Sequence, residues 1–138
     1  MGSASGYNPM RYNCDKSGCY NKALRPKIET FSECFPNRIG MTDVDAMVEI
    51  GGKFMMIEWK GRGGSLGRGQ EIMFEKLTKD TTQFVVYVVE GCPQTMEVQQ
   101  YSRYYNSMVQ RFPCDKDEGL SKLKSDIRRW VKFAGNTQ

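Results

Sequence analysis

Two short apolar-rich runs on either side of Gly51-Gly52 constrain this chain more than any other feature. The first extends from Met41 to Ile50 and the second from Phe54 to Lys60. In a strand, successive side chains point to opposite faces. Asp43, Asp45, Met47 and Glu49 then share one face of the first run, and Met56, Glu58 and Lys60 share one face of the second. A Gly-Gly pair between two such runs predicts a β-hairpin. That hairpin carries Asp43 or Asp45 towards Glu58 and Lys60. Two carboxylates and a lysine at the end of a buried hairpin are costly to desolvate unless a cation or a substrate uses them.

The chain has 138 residues, a net charge of +4, five cysteines and no histidine. That length predicts a single domain over residues 7–138 behind a flexible lead at 1–6, with a core that needs no disulfide staples. The absence of histidine excludes Ser-His and Cys-His catalysis and histidine metal sites, so any hydrolysis must use carboxylates, lysine and a metal. No apolar run is long enough to span a bilayer, and the first residues lack a signal-peptide pattern. An odd cysteine count then predicts reduced thiols in a cytoplasmic setting. Cys14 and Cys19, with Cys34, are three thiolates that a structural Zn²⁺ would accept, with Cys92 or Cys114 as a fourth; ordinary thiols explain them equally simply.

Residues 27–35 follow Pro26 and predict a helix whose Ile28, Phe31, Cys34 and Phe35 face the core. After the hairpin, residues 61–69 hold five glycines with Arg62 and Arg68. This loop is no Walker loop, because no Gly-Lys-Ser/Thr closes it. It reads as a phosphate-backbone loop using both arginines, or as a solvated connector. Gln70 to Lys79 predicts a helix turning Ile72, Met73 and Leu77, with the stem of Lys76, inward and Phe74 to the flank. Phe84 to Val89 is a continuous apolar run rich in β-branched valine, predicting a strand covered on both faces and parallel to the second hairpin strand. Residues 95–112 predict one further edge strand. Gly119 to Phe133 predicts a terminal helix with Leu120, Leu123, Ile127, Trp130 and Val131 inward.

Asp45 with Glu58-Trp59-Lys60, followed by Gln70 at a helix start, resembles the PD-(D/E)XK nuclease signature. The order of helix, acidic strand, Glu-x-Lys strand, helix and strand matches that superfamily, and the sequences around these motifs are similar to its small phage- and prophage-type members. No proline precedes either aspartate, which departs from the pattern. The resemblance implies an α/β (α+β) fold: a restriction-endonuclease-like core with a mixed central sheet and a C-terminal helix. It implies a Mg²⁺- or Mn²⁺-dependent phosphodiesterase acting on nucleic acid, with DNA the expected substrate, in the cytoplasm of a bacterial host. Asp45 and Glu58 would hold the metal, with the backbone carbonyl of Trp59 between them and Asp43 in reserve. Lys60 would position or deprotonate the water, and Gln70 would orient the water or a phosphate. A symmetric homodimer is compatible with cutting two strands. Two other readings remain open from the sequence: a catalytically inactive nucleic-acid-binding module on the same fold, and a zinc-stabilised protein-interaction module.

Overall fold

The computed structural model describes residues 26–37, 39–115 and 117–136. The chain divides into two units, residues 1–41 and 42–138. In the first, the described residues form a 3-10 helix, Ile28–Cys34, in which no residue is buried. This corrects the expected core-facing helix: Ile28 and Phe31 are 44 % and 55 % exposed, and Cys34 and Phe35 are exposed too. The physical reason is length. A short segment ahead of Pro36 cannot repay the nucleation of an α-helix, and the tighter turn is held locally, with Ser32 Oγ donating to the Glu29 carbonyl at 2.7 Å.

The second unit is a five-stranded mixed sheet with one helix on each face. Its elements run β1 (Ala46–Ile50), β2 (Lys53–Lys60), α1 (Arg68–Leu77), β3 (Phe84–Gly91), β4 (Val98–Tyr105), β5 (Met108–Pro113) and α2 (Gly119–Gly135). The strands lie side by side in chain order. β2 and β3 are parallel, and the other neighbouring pairs are antiparallel. The α1 crossover supplies the length that parallel pairing requires. The predicted hairpin is present: Gly51 and Gly52 sit at φ 58° and 82°, the left-handed region in which glycine carries no Cβ penalty.

The central strand β3 is covered on both faces, as its unbroken apolar run from Phe84 to Val89 predicts. On one face Met56, Val86 and Tyr104 pack on Phe74 of α1. On the other, Met55, Val85, Tyr87, Val89, Val98 and Tyr101 pack on Leu123, Trp130 and Ala134 of α2. Alternation along each strand therefore separates two chemically distinct layers.

Three further expectations are corrected in this unit. The inward side of α1 is Phe74 with Leu77, whereas Ile72 and Met73 are 36 % and 40 % exposed and Lys76 is exposed. The helix starts two residues earlier than predicted, at Arg68, and the phenylalanine takes the core position. Residues 95–112 form two strands instead of one, joined at Asn106 and Ser107, both at positive φ. On α2 Val131 is exposed, while Asp126, a charged residue, is buried. No helix among the described residues is long and apolar enough to cross a membrane.

Candidate functional site

The C-terminal end of β2 and the first turn of α1 build the site. Glu58 and Lys60 are two residues apart on β2, so both face the α1 layer. Seven loop residues, 61–67, return the chain so that α1 begins at Arg68 and places Gln70 over them. The three side chains close a triangle. Lys60 Nζ lies 3.1 Å from Glu58 Oε2, and it donates to Gln70 Oε1 at 2.9 Å. Gln70 Nε2 donates to the same Glu58 oxygen at 3.3 Å. Glu58 is 8 % exposed, one of few buried charged residues described.

Asp45 joins from the neighbouring strand. It lies one residue before β1, not within it as the sequence suggested, because the ladder opens at Ala46 opposite Ile57. One step further out, the same register sets Asp45 opposite Glu58. Its Oδ2 accepts the Trp59 backbone N–H at 2.7 Å. In an extended strand a residue's N–H and carbonyl face the same side, so the Trp59 carbonyl also faces the Asp45 side. Asp43 lies two residues further back, exposed and outside any strand. β1 is an edge strand with Met47 and Val48 exposed, so the hairpin is buried on the β2 side only.

Among the described residues, neither Asp45 Oδ1 nor Glu58 Oε1 takes a hydrogen bond. These two carboxylate oxygens, at facing positions just before β1 and on β2, form with the Trp59 carbonyl a set of hard donors. That set suits Mg²⁺, which is commonly held by one or two carboxylates together with waters and substrate phosphates. No three His, Cys, Asp or Glu side chains gather among the described residues, so the protein itself offers only these few ligands. Of the thiols considered for zinc, Cys14 and Cys19 lie outside the described residues, Cys34 is exposed, and Cys92 and Cys114 are free.

Lys60 also lines a cavity of about 120 Å³ that runs along the sheet towards β5. Gly64, Ser65, Leu66, Val88, Ser102, Tyr104 and Arg111 are among its walls. Burial, and then Glu71 and Glu75, push the Tyr104 hydroxyl above its ordinary range, so it remains a neutral donor. Arg62 and Arg68 do not stand free as a phosphate loop. Arg62 pairs with Glu97 at 2.8 Å and Arg68 with Glu71 at 3.0 Å. The sequence reading missed Ser102 and Arg111. Recognising Asn106-Ser107 as a hairpin turn would have placed Arg111 on this face by counting.

Comparison of the chain with known protein families, with curated proteins and with solved structures finds no match.

Proposed function

We propose that this protein is a metal-dependent nuclease of the PD-(D/E)XK type, with a restriction-endonuclease-like core, hydrolysing phosphodiester bonds in nucleic acid, DNA in the first instance. The observation that carries the reading is the convergence of Asp45, Glu58, Lys60 and Gln70 at one strand end beside a cavity. A purely structural role would need no second carboxylate docked across the strand pair with one oxygen left over.

Asp45, Glu58 and the Trp59 carbonyl would hold Mg²⁺ or Mn²⁺. Bound there, the ion acidifies water and offsets the charge that builds on the phosphate during in-line attack. The chain's own residues do the rest. The Trp59 N–H fixes Asp45 by donating to one of its oxygens, which leaves the other open for a ligand. Lys60, held by Glu58 and Gln70, sits where it can orient the attacking water or neutralise a phosphate oxygen. Gln70 links the lysine and the glutamate, so α1 and β2 act as one frame. The packed α1 layer excludes bulk solvent from the inner side of the triangle, which strengthens each of these contacts.

The test is cleavage of labelled single-stranded, double-stranded and branched DNA in Mg²⁺ or Mn²⁺. The reading expects metal-dependent cutting that Lys60→Ala abolishes while nucleic-acid binding is retained. Binding without cutting of any substrate would instead identify an inactive nucleic-acid-binding module, and cutting by Lys60→Ala at the wild-type rate would remove the lysine from its role.

A further inference from the structure

The cavity beside Lys60 ends on a cation that the proposed mechanism does not use. In β2, Glu58 is the register partner of Val88. Val88 is the partner of Ser102, and Ser102 of Arg111. These four positions form one row across the sheet, all on the α1 face. Three strand spacings of roughly 4.8 Å place Arg111 about 14 Å from the Glu58 position. The cavity follows that row, from Lys60 over Val88 and Ser102 to Arg111. On its other side it meets Gly64 and Ser65 and then Leu66, which packs into the α1-side core and so holds the loop across the sheet.

The charges along the row are sorted. Lys60 is tied to Glu58, Arg62 to Glu97 and Arg68 to Glu71. Glu90, a carboxylate on the wall, is already engaged by the Gly63 N–H at 3.0 Å and by Gln100 Nε2 at 2.7 Å. Arg111 makes no ion pair or hydrogen bond among the described residues and lies exposed on the edge strand β5. The wall carboxylates Glu71 and Glu90 are each held by a partner, Arg68 for the first and two neutral N–H donors for the second, and the far end carries a guanidinium that is in no ion pair among the described residues. Guanidinium is the side chain best suited to a phosphate.

We infer that this cavity is a track for an unpaired strand of nucleic acid, with the scissile phosphate at the Asp45–Glu58–Lys60 end and a phosphate further along the same strand on Arg111. The inference rests on the nuclease reading and narrows it to single strands, frayed ends or flaps. The cavity, about 120 Å³, is narrow between loop and sheet and follows the row, so a single strand can lie along it where a duplex cannot enter. Ser102 offers a hydroxyl and Tyr104 a neutral phenol along the way. Val88 supplies an apolar floor against which a base or sugar can lie.

The test compares the full chain with Arg111→Ala and Arg111→Lys. Binding to a labelled oligothymidylate and to a blunt duplex is measured with EDTA across a salt series, and cleavage of the single strand is measured in Mn²⁺. The track predicts tighter binding to the single strand than to the duplex. Arg111→Ala should weaken single-strand binding about tenfold and lower the salt slope by about 0.7, the value for one lost phosphate contact on a single strand. It should raise KM with kcat little changed, and Arg111→Lys should recover much of the loss. Equal affinity for strand and duplex, or an Arg111→Ala protein with unchanged affinity and slope, overturns the inference. Failure of the wild type to cleave any substrate, with Arg111-dependent strand binding intact, would overturn the nuclease reading and leave the track standing. Normal cleavage with no effect of Arg111→Ala would do the reverse.

Discussion

Each face of the sheet carries a buried carboxylate beside a cation, and the two are satisfied to very different degrees. Asp126, on the α2 side, accepts from Tyr87 Oη at 3.1 Å and Tyr101 Oη at 3.0 Å, and from one Arg103 nitrogen on both oxygens, at 2.7 and 2.6 Å. Both of its oxygens are committed. Arg103 in turn reaches Gln110 and lies over the Phe112 ring. Glu58, on the α1 side, has one oxygen shared by Lys60 and Gln70 and the other open, and its partner lysine is 21 % exposed at a cavity wall. A saturated carboxylate holds a fold in one arrangement. A half-saturated one beside a cavity can still take a ligand. Burial of charge alone does not separate the two roles; the count of uncommitted oxygens does.

The largest effects should separate the two faces completely. Glu58→Gln or Lys60→Ala should lower cleavage at least about a thousandfold, equivalent to about 4 kcal/mol of barrier. Folding stability, followed by urea denaturation, should fall less than in Asp126→Ala, because one Glu58 oxygen is open and Lys60 is 21 % exposed. Asp126→Ala should behave oppositely. Removing one partner of a buried pair strands Arg103 and two phenols and should cost about 3–5 kcal/mol of stability, while the cleavage rate per folded molecule stays near wild type. If Asp126→Ala left stability intact and abolished cleavage, the contrast drawn between the faces would be wrong.

Smaller effects sharpen the same contrast. Tyr87→Phe and Tyr101→Phe each remove one hydrogen bond to a charged acceptor and should each cost about 1.5 kcal/mol by urea denaturation. Both phenols are also held above their ordinary pKa, first by burial and then by the Asp126 carboxylate. The unfolded phenols titrate near about 10. With folded values raised, the native state keeps protons that the unfolded state loses. The stabilisation is therefore fully present below about pH 10 and is lost as pH rises beyond it. Melting temperature should fall from pH 10 upward, and the Tyr87→Phe/Tyr101→Phe double variant should flatten that fall. An unchanged alkaline slope in the double variant would remove these phenols from the account.

The α1-side site was largely legible in the sequence because its parts are local. Glu58 and Lys60 are two apart on one strand, the Gly51-Gly52 turn fixes which strand lies beside them, and Gln70 opens the helix that follows. What remained hidden was set by pairings over longer distances. Asp126 reads as one more charge on a basic helix, and only α2 packing over β3 and β4 brings it to Tyr87 and Arg103. The face of Arg111 depends on the register after Asn106-Ser107, so a single strand over residues 95–112 leaves it unassigned. The phase of α1 was misjudged for a related reason. Ile72 and Met73 are as apolar as Leu77, and tertiary packing chose Phe74. Within Ile28–Cys34, apolar spacing alone suggested a core helix that a short 3-10 segment does not make.

The most direct test of the central claim is a crystal of the protein grown with Mn²⁺, with the ion located by its anomalous scattering. One peak is expected, bound by an oxygen of Asp45, an oxygen of Glu58 and the Trp59 carbonyl, with Lys60 alongside, and lost in Glu58→Gln. A Mn²⁺-saturated crystal with no peak there, and the two carboxylates turned apart, would contradict it.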